Sequence, residues 1–156
     1  MRYYLSLGSN IGDREQTLLA ALTMIEQQIG SVPRRSSFFY SAPWGFDSPN
    51  EFCNLCCLVQ TDLDPMAMLR ATQSIEQALG RTHKSIDGIY QDRPIDIDLI
   101  RAFDEQNKEI RLQILNPESQ IINHKSQTSN LWLLSLPHPL WQERDFVRIP
   151  LMEIML

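Results

Sequence analysis

The sequence predicts one domain of mixed strands and helices, and three patterns point to it. Arg93-Pro94-Ile95-Asp96-Ile97-Asp98-Leu99-Ile100 alternates apolar and acidic residues, the period of a half-buried strand. Tyr3 to Leu7 and Asn54 to Val59 read as two further strands. Two segments between them carry a cap at one end, a glycine at the other and apolar residues at helical spacing. At 156 residues the chain has the length of one domain, large enough to bury a core without disulfides. With 43% hydrophobic and 21% charged residues it is ordinary globular material. No apolar run reaches the roughly 18 residues that cross a bilayer. Met1-Arg2-Tyr3-Tyr4 leads straight into a strand pattern, so a cytoplasmic protein with no membrane partner is expected. A net charge of -5 argues against a nucleic-acid surface, although a local basic patch can still take the phosphates of a small molecule.

The first strand runs into Gly8-Ser9-Asn10-Ile11-Gly12, a glycine-bearing turn without the spacing of a P-loop. Asp13 caps the helix that follows, with Gln16 at the capping-box position. Leu18, Leu22, Ile25 and Ile29 form its stripe before Gly30. Ser36 to Tyr40 reads as the second strand. The loop after it, Ser41 to Asn50, holds Trp44 and Phe46, which suit either a flat ligand or a cover for the core. Phe52 and Asn54 open the third strand on one face, an aromatic plane beside an amide that can donate and accept. Asp64-Pro65 starts the second helix, with Met68, Leu69, Ile75 and Leu79 as its stripe up to Gly80. Gln73 and Glu76 are expected on its other faces, open to ligand or water. A polar stretch from Arg81 to Asp92 reads as a lid. Cys53, Cys56 and Cys57 include one CxxC pair and no second, so buried reduced thiols are a better reading than zinc ligands.

Asp96 and Asp98 are the most telling residues. Alternate positions on a strand lie about 6.6 Å apart, within reach of one hard cation. Like charges this close repel unless something positive stands between them. Spacing alone favours a solvated acidic face; the neighbouring Arg93 shifts the balance toward a site, because a guanidinium suits phosphate oxygens, and it reads equally as the partner of a surface acid.

The ordered segments LGSN (7–10), SAPWGFDSPNEFCN (41–54), IEQALGR (75–81), DRPIDIDLI (92–100) and LPHP (136–139) resemble the 6-hydroxymethyl-7,8-dihydropterin pyrophosphokinase family of folate biosynthesis. The likeness spans nearly the whole chain, and Arg93, Asp96 and Asp98 form its most diagnostic signature. It implies an α+β fold, ferredoxin-like, with an antiparallel sheet backed by helices and three loops over the site. It also implies that ATP passes its β,γ-pyrophosphoryl group to the pterin hydroxymethyl oxygen, leaving AMP. On the same analogy Asp96 and Asp98 hold two Mg2+ ions, and Arg81 and Arg93 join them as catalytic residues. Ser41, Pro43, Trp44, Phe52, Asn54 and Phe146 correspond to the pterin pocket. Gln73, Arg81, Lys84, Arg93, Leu99, His138 and Arg144 correspond to positions that meet ATP, although His138, between two prolines, also reads as a turn residue. Small-molecule substrates and a monomer are expected.

Two departures stand out. The lid, with His83, Lys84, Asp87, Gly88, Ile89 and Tyr90, is less basic than is usual in the family, which predicts weaker ATP binding. Residues 104–135, within a single domain spanning 1–156, include an insertion of roughly twenty residues where the family has a short hairpin; a surface excursion is expected. The altered lid motivates an alternative, a pterin- or nucleotide-binding homologue with little turnover. An unrelated magnesium-dependent nucleotidyltransferase is a third reading, which predicts release of pyrophosphate and not AMP.

Overall fold

The computed structural model describes residues 1–81, 92–117 and 132–155. The chain runs β1 (Arg2–Ser9), α1 (Arg14–Gln28), β2 (Ser31–Arg35), β3 (Phe39–Ser41), β4 (Phe52–Gln60), α2 (Pro65–Ala78), β5 (Asp96–Phe103), β6 (Leu112–Leu115), β7 (Trp132–Leu136) and α3 (Asp145–Ile154). The main sheet is ordered β2-β4-β1-β5, with β3 also pairing β4 and every pairing among the described residues antiparallel. Two crossings through α1 and α2 give the split βαβ arrangement of the expected ferredoxin-like α+β fold.

Both predicted helix starts are present. Asp13 accepts a hydrogen bond from the Gln16 amide at the head of α1, and Asp64 accepts one from Ala67 at the head of α2. Leu18, Ala21, Leu22 and Ile25 of α1 and Met68, Leu69 and Ile75 of α2 then close over one face of the sheet. Strand alternation supplies the other half of that core: Tyr3, Leu5 and Leu7 from β1, Cys53, Leu55, Cys57 and Val59 from β4, Ile97 and Leu99 from β5. Cys56 faces the opposite way, packed with Ile100 against Val147, Leu151 and Ile154 of α3. All three cysteines are buried and reduced, as expected.

The edge beside β4 corrects the predicted second strand. Ser36 to Tyr40 is not one strand: β2 ends at Arg35 and β3 begins at Phe39. Ser36 makes the break. Its amide donates to the Cys56 carbonyl at 2.8 Å and its hydroxyl oxygen accepts from the Cys56 amide at 2.9 Å. A side chain thereby replaces a backbone acceptor, and the edge bends. Strand β2 contains Pro33, which an edge tolerates because its missing N–H faces no partner.

Beyond β5 the chain turns at Asp104, whose carboxylate accepts from the Gln106 and Lys108 amides. The described ends of the 104–135 excursion pair with each other as β6 and β7. From β7 the chain returns to the sheet, where the His138 amide donates to the Ile100 carbonyl at 2.8 Å. Helix α3 packs against one end of its face of the sheet, and among the described residues no other helix covers that face.

Candidate active site

The part of this sheet face that α3 does not cover holds a small cleft. Two cross-strand rows make its floor. Gly8 stands between Asn54 and Asp96, and Ser6 between Cys56 and Asp98. A hollow forms because the central strand contributes only a hydroxymethyl and a hydrogen. A Cβ on Gly8 would sit 2.9 Å from Asn54 Oδ1 and 3.5 Å from the Phe52 ring. Larger side chains at Ser6 and Gly8 would fill the space that a ligand needs.

One wall is aromatic. Phe52, Trp44 and Phe146 line it, with Ser41 and Ala42 beside them. Phe46 meets Phe52 edge-on at 6.2 Å, so it braces the wall from behind. Trp44 is 39% exposed, and the Arg144 guanidinium lies 4.3 Å from its ring centre. Of the two readings of the loop aromatics, Trp44 therefore borders the cleft and Phe46 packs inward. Asn54 has a fixed orientation, because its amide nitrogen donates to the Phe39 carbonyl (3.0 Å) and to Ser41 Oγ (2.9 Å). What it turns toward Gly8 is an oxygen, an acceptor for a ring N–H.

The other wall is charged. Gly80, at φ +97, ends α2 in a turn in which the Arg81 amide bonds the Glu76 carbonyl at 3.0 Å. This turn aims Arg81 at β5. There its Nη1 donates to Glu76 Oε2 at 2.7 Å, to the Ile95 carbonyl at 3.2 Å, and to Asp96 Oδ1. Burial works to lower the Arg81 pKa, but Asp96, Glu76 and Asp98 outweigh it and hold it above its ordinary value. Arg93 approaches the second oxygen of Asp96, with Nε at 3.6 Å, and its guanidinium lies 5.4 Å from the Phe52 ring centre. Asp98, the other acid of the pair, accepts no hydrogen bond from a described side chain and faces the cleft.

Glu76 corrects the sequence reading. It is not open to ligand or water: it is 2% exposed, and its Oε2 also accepts from the Ile97 amide at 3.2 Å. A buried carboxylate persists where charge and hydrogen-bond donors meet it, and here Arg81 and Ile97 supply them. The sequence reading also missed Ser6 and Gly8. Gly8 belongs to β1 and not to the following turn, and the strand alternation from Tyr3 onward was the signal that located both.

The remaining predicted residues are spread around the site. Pro43 is half-buried beside Trp44, and Gln73 is half-buried on α2. The Leu99 side chain lies in the core under α1 and α2, leaving its backbone on β5. His138 accepts from the Leu140 amide through Nδ1 at 3.2 Å, which is the turn role that its flanking prolines suggested. Of the lid predicted from Arg81 to Asp92, residues 82–91, Lys84 among them, lie outside the described residues, as do 118–131.

Paired acids flanked by two arginines, one of them buried, and facing an aromatic slot across one cleft, define the class: a phosphoryl-transfer enzyme for a flat heterocycle. Residues 4–156 match the model of the family described as 7,8-dihydro-6-hydroxymethylpterin-pyrophosphokinase, and the chain belongs to that family. It is 41% identical over 151 residues to a 2-amino-4-hydroxy-6-hydroxymethyldihydropteridine pyrophosphokinase of Porphyromonas gingivalis, covering 97% of this chain and 88% of that protein. A Bacillus subtilis protein of the same name is 34% identical over 152 residues, 76% of its length. Among solved structures, the Plasmodium falciparum HPPK-DHPS protein shares the fold with a TM-score of 0.67 at 15% identity. That match covers 97% of this chain and 40% of the other. No helix among the described residues is long and apolar enough to cross a membrane.

Proposed function

We propose that this cleft transfers the β,γ-pyrophosphoryl group of ATP to the hydroxymethyl oxygen of 6-hydroxymethyl-7,8-dihydropterin, giving AMP and the pterin diphosphate for folate synthesis. The observation that carries the reading is that a single cleft is lined by Phe52, Trp44, Phe146 and Asn54 on one side and by Asp96 and Asp98 on the other. A heterocycle held in the slot has its substituent beside the acids, where a triphosphate must lie.

The substrate hydroxyl oxygen forms a bond to the β-phosphorus and gives up its proton to solvent, while the bond from that phosphorus to the oxygen bridging it to the α-phosphate breaks and AMP takes the electron pair. Little of this is covalent work for protein groups, so placement and charge neutralisation supply most of the acceleration. Arg81 and Arg93 are suited to both, since a guanidinium fork matches phosphate oxygens and stays charged at any working pH. Phe52, Phe146 and Trp44 hold the ring plane, Ser41, Pro43 and Asn54 its polar rim. Gln73, Lys84, Leu99, His138 and Arg144 are assigned to the nucleotide side.

Asp96 and Asp98 would hold two Mg2+ ions. The donor set fits: two carboxylates line the same cleft, and Mg2+ characteristically takes one or two carboxylates, completing its shell with water and substrate phosphate. When bound, the ions neutralise charge on the triphosphate. Asp96 shares its carboxylate between Arg81 and Arg93, which keeps both guanidiniums beside the acids that would hold the ions.

The alternative of a binding homologue with little turnover rests on 82–91, which lies outside the described residues, and no observation favours it. The chain is proposed to act as a cytoplasmic monomer of one domain without nucleic-acid or membrane partners. The test is incubation with ATP, Mg2+ and the reduced hydroxymethylpterin. AMP and the pterin diphosphate should appear together; pyrophosphate release without a pterin requirement would refute the assignment.

A further inference from the structure

Three segments far apart in sequence meet at Asp92, just ahead of β5. Its Oδ1 accepts from Asn10 Nδ2 at 2.7 Å, and its Oδ2 accepts from Asn50 Nδ2 at 2.8 Å. Ser48 Oγ accepts from the Asn50 amide at 3.1 Å, and Ser48, Asn10 and Asn50 around this carboxylate hold its pKa below the ordinary carboxylate value. Asn10, 3% exposed, grips the next residue by the backbone. Its Oδ1 accepts from the Arg93 amide at 2.7 Å, and its own amide donates to the Arg93 carbonyl at 3.2 Å. Asn50 and Ser48 belong to the loop between β3 and β4 that carries Trp44 and Phe46. One carboxylate therefore ties the aromatic wall to the backbone of the arginine that faces Asp96.

We propose that Asp92 is a positioning residue: through Asn10 and Asn50 it couples the placement of the Trp44 loop to that of Arg93. This rests on the pyrophosphoryl-transfer reading, and Asp92 is not among the residues that line the cleft. A residue that fixes Arg93 matters most when charge moves across the transferring phosphates, so its loss should appear in kcat more than in KM. The bond pattern also predicts a specific exchange. Asp92→Asn keeps an acceptor for Asn10 but sets one amide N–H2 against another at Asn50. Asn50→Asp in the same chain restores donor to acceptor with the roles reversed.

The test is steady-state kinetics of AMP formation for the wild type, Asp92→Ala, Asp92→Asn, Asn50→Ala and the Asp92→Asn/Asn50→Asp exchange, with thermal melts of each. Asp92→Ala should lower kcat roughly 10- to 100-fold, the scale of a misplaced reacting group. Asp92→Asn and Asn50→Ala should each lose less, and the exchange should regain most of the activity lost in Asp92→Asn. Should Asp92→Ala fold poorly, Asn50→Ala, at an exposed position, reads out the same arm. Folded variants with kcat within about twofold of wild type, or an exchange no better than Asp92→Asn, would overturn the inference. A wild type that forms no AMP would instead overturn the reaction assignment, and the two failures are thus distinguishable.

Discussion

Glu76→Ala tests whether the charged wall is held from behind. Glu76 and Arg81 have side chains only 3% and 5% exposed, and they meet at 2.7 Å. Removing the carboxylate strips Arg81 of one partner and leaves the Ile97 amide without its acceptor inside the sheet. An orphaned buried amide costs about 1–3 kcal/mol, and breaking a buried ion pair from one side costs about 3–5 kcal/mol. These overlap and do not add, because both describe the same lost oxygen. Arg81 keeps its bonds to Asp96 and the Ile95 carbonyl, which places the expected loss near the lower end, at about 3 kcal/mol. For a domain of this size that corresponds to a fall of roughly 6–12 °C in Tm. Urea and thermal unfolding followed by circular dichroism measure it directly. Asp98→Ala, which removes an acid with no side-chain hydrogen bond among the described residues, serves as the control and should melt near the wild type. A Glu76→Ala loss below about 1 kcal/mol, the range of an exposed pair, would refute the account of Glu76 as the buried anchor of Arg81.

Asp98→Ala should abolish AMP and pterin diphosphate formation while leaving the melt unchanged; retained product formation at saturating Mg2+ would sink the role given to the acid pair. Gly8→Ala should weaken the heterocycle, because its Cβ at 2.9 Å from Asn54 Oδ1 displaces the acceptor. The expected signature is a KM for the pterin raised about tenfold with the KM for ATP little changed. The native protein should show no thiol reactive toward an aromatic disulfide reagent at pH 8, and the denatured chain should show three. Burial first of all pushes Cys53 up to about 11 and Cys56 up to about 12, against an ordinary 9.0. Folded pKa values therefore exceed unfolded ones, so stability should hold below pH 9 and decline as pH rises from there toward 12. A flat alkaline stability profile would contradict it.

What the sequence made legible was whatever depended on neighbours along the chain. The acid strand announced itself by alternation, and Ile95 and Ile97 are fully buried while Asp96 and Asp98 face the cleft, because a two-residue period leaves no other arrangement once one face is covered. The caps at Asp13 and Asp64 are equally local. Helix α3 was not: Pro150 lies inside it, its N-cap Arg144 makes no capping side-chain bond, and both features disguise the Val147, Leu151, Ile154 stripe that seats it on Cys56 and Ile100. The same distinction governs the site. Phe52 and Asn54 were readable as one face of one strand, whereas Glu76 looked like a spare polar residue on a helix, because its partners Arg81 and Ile97 meet it only after the chain has turned back. Asn10 and Asp92, 82 positions apart, carried no local pattern at all. Phe52, Asn54, Asp96 and Asp98 line the cleft from strand positions and follow the pleat, while Glu76 and Asn10 reach the groups they hold only across turns and loops. The positions where sequence reasoning fell short are therefore concentrated among the supporting residues, which makes Glu76 and Asp92 the informative places to mutate.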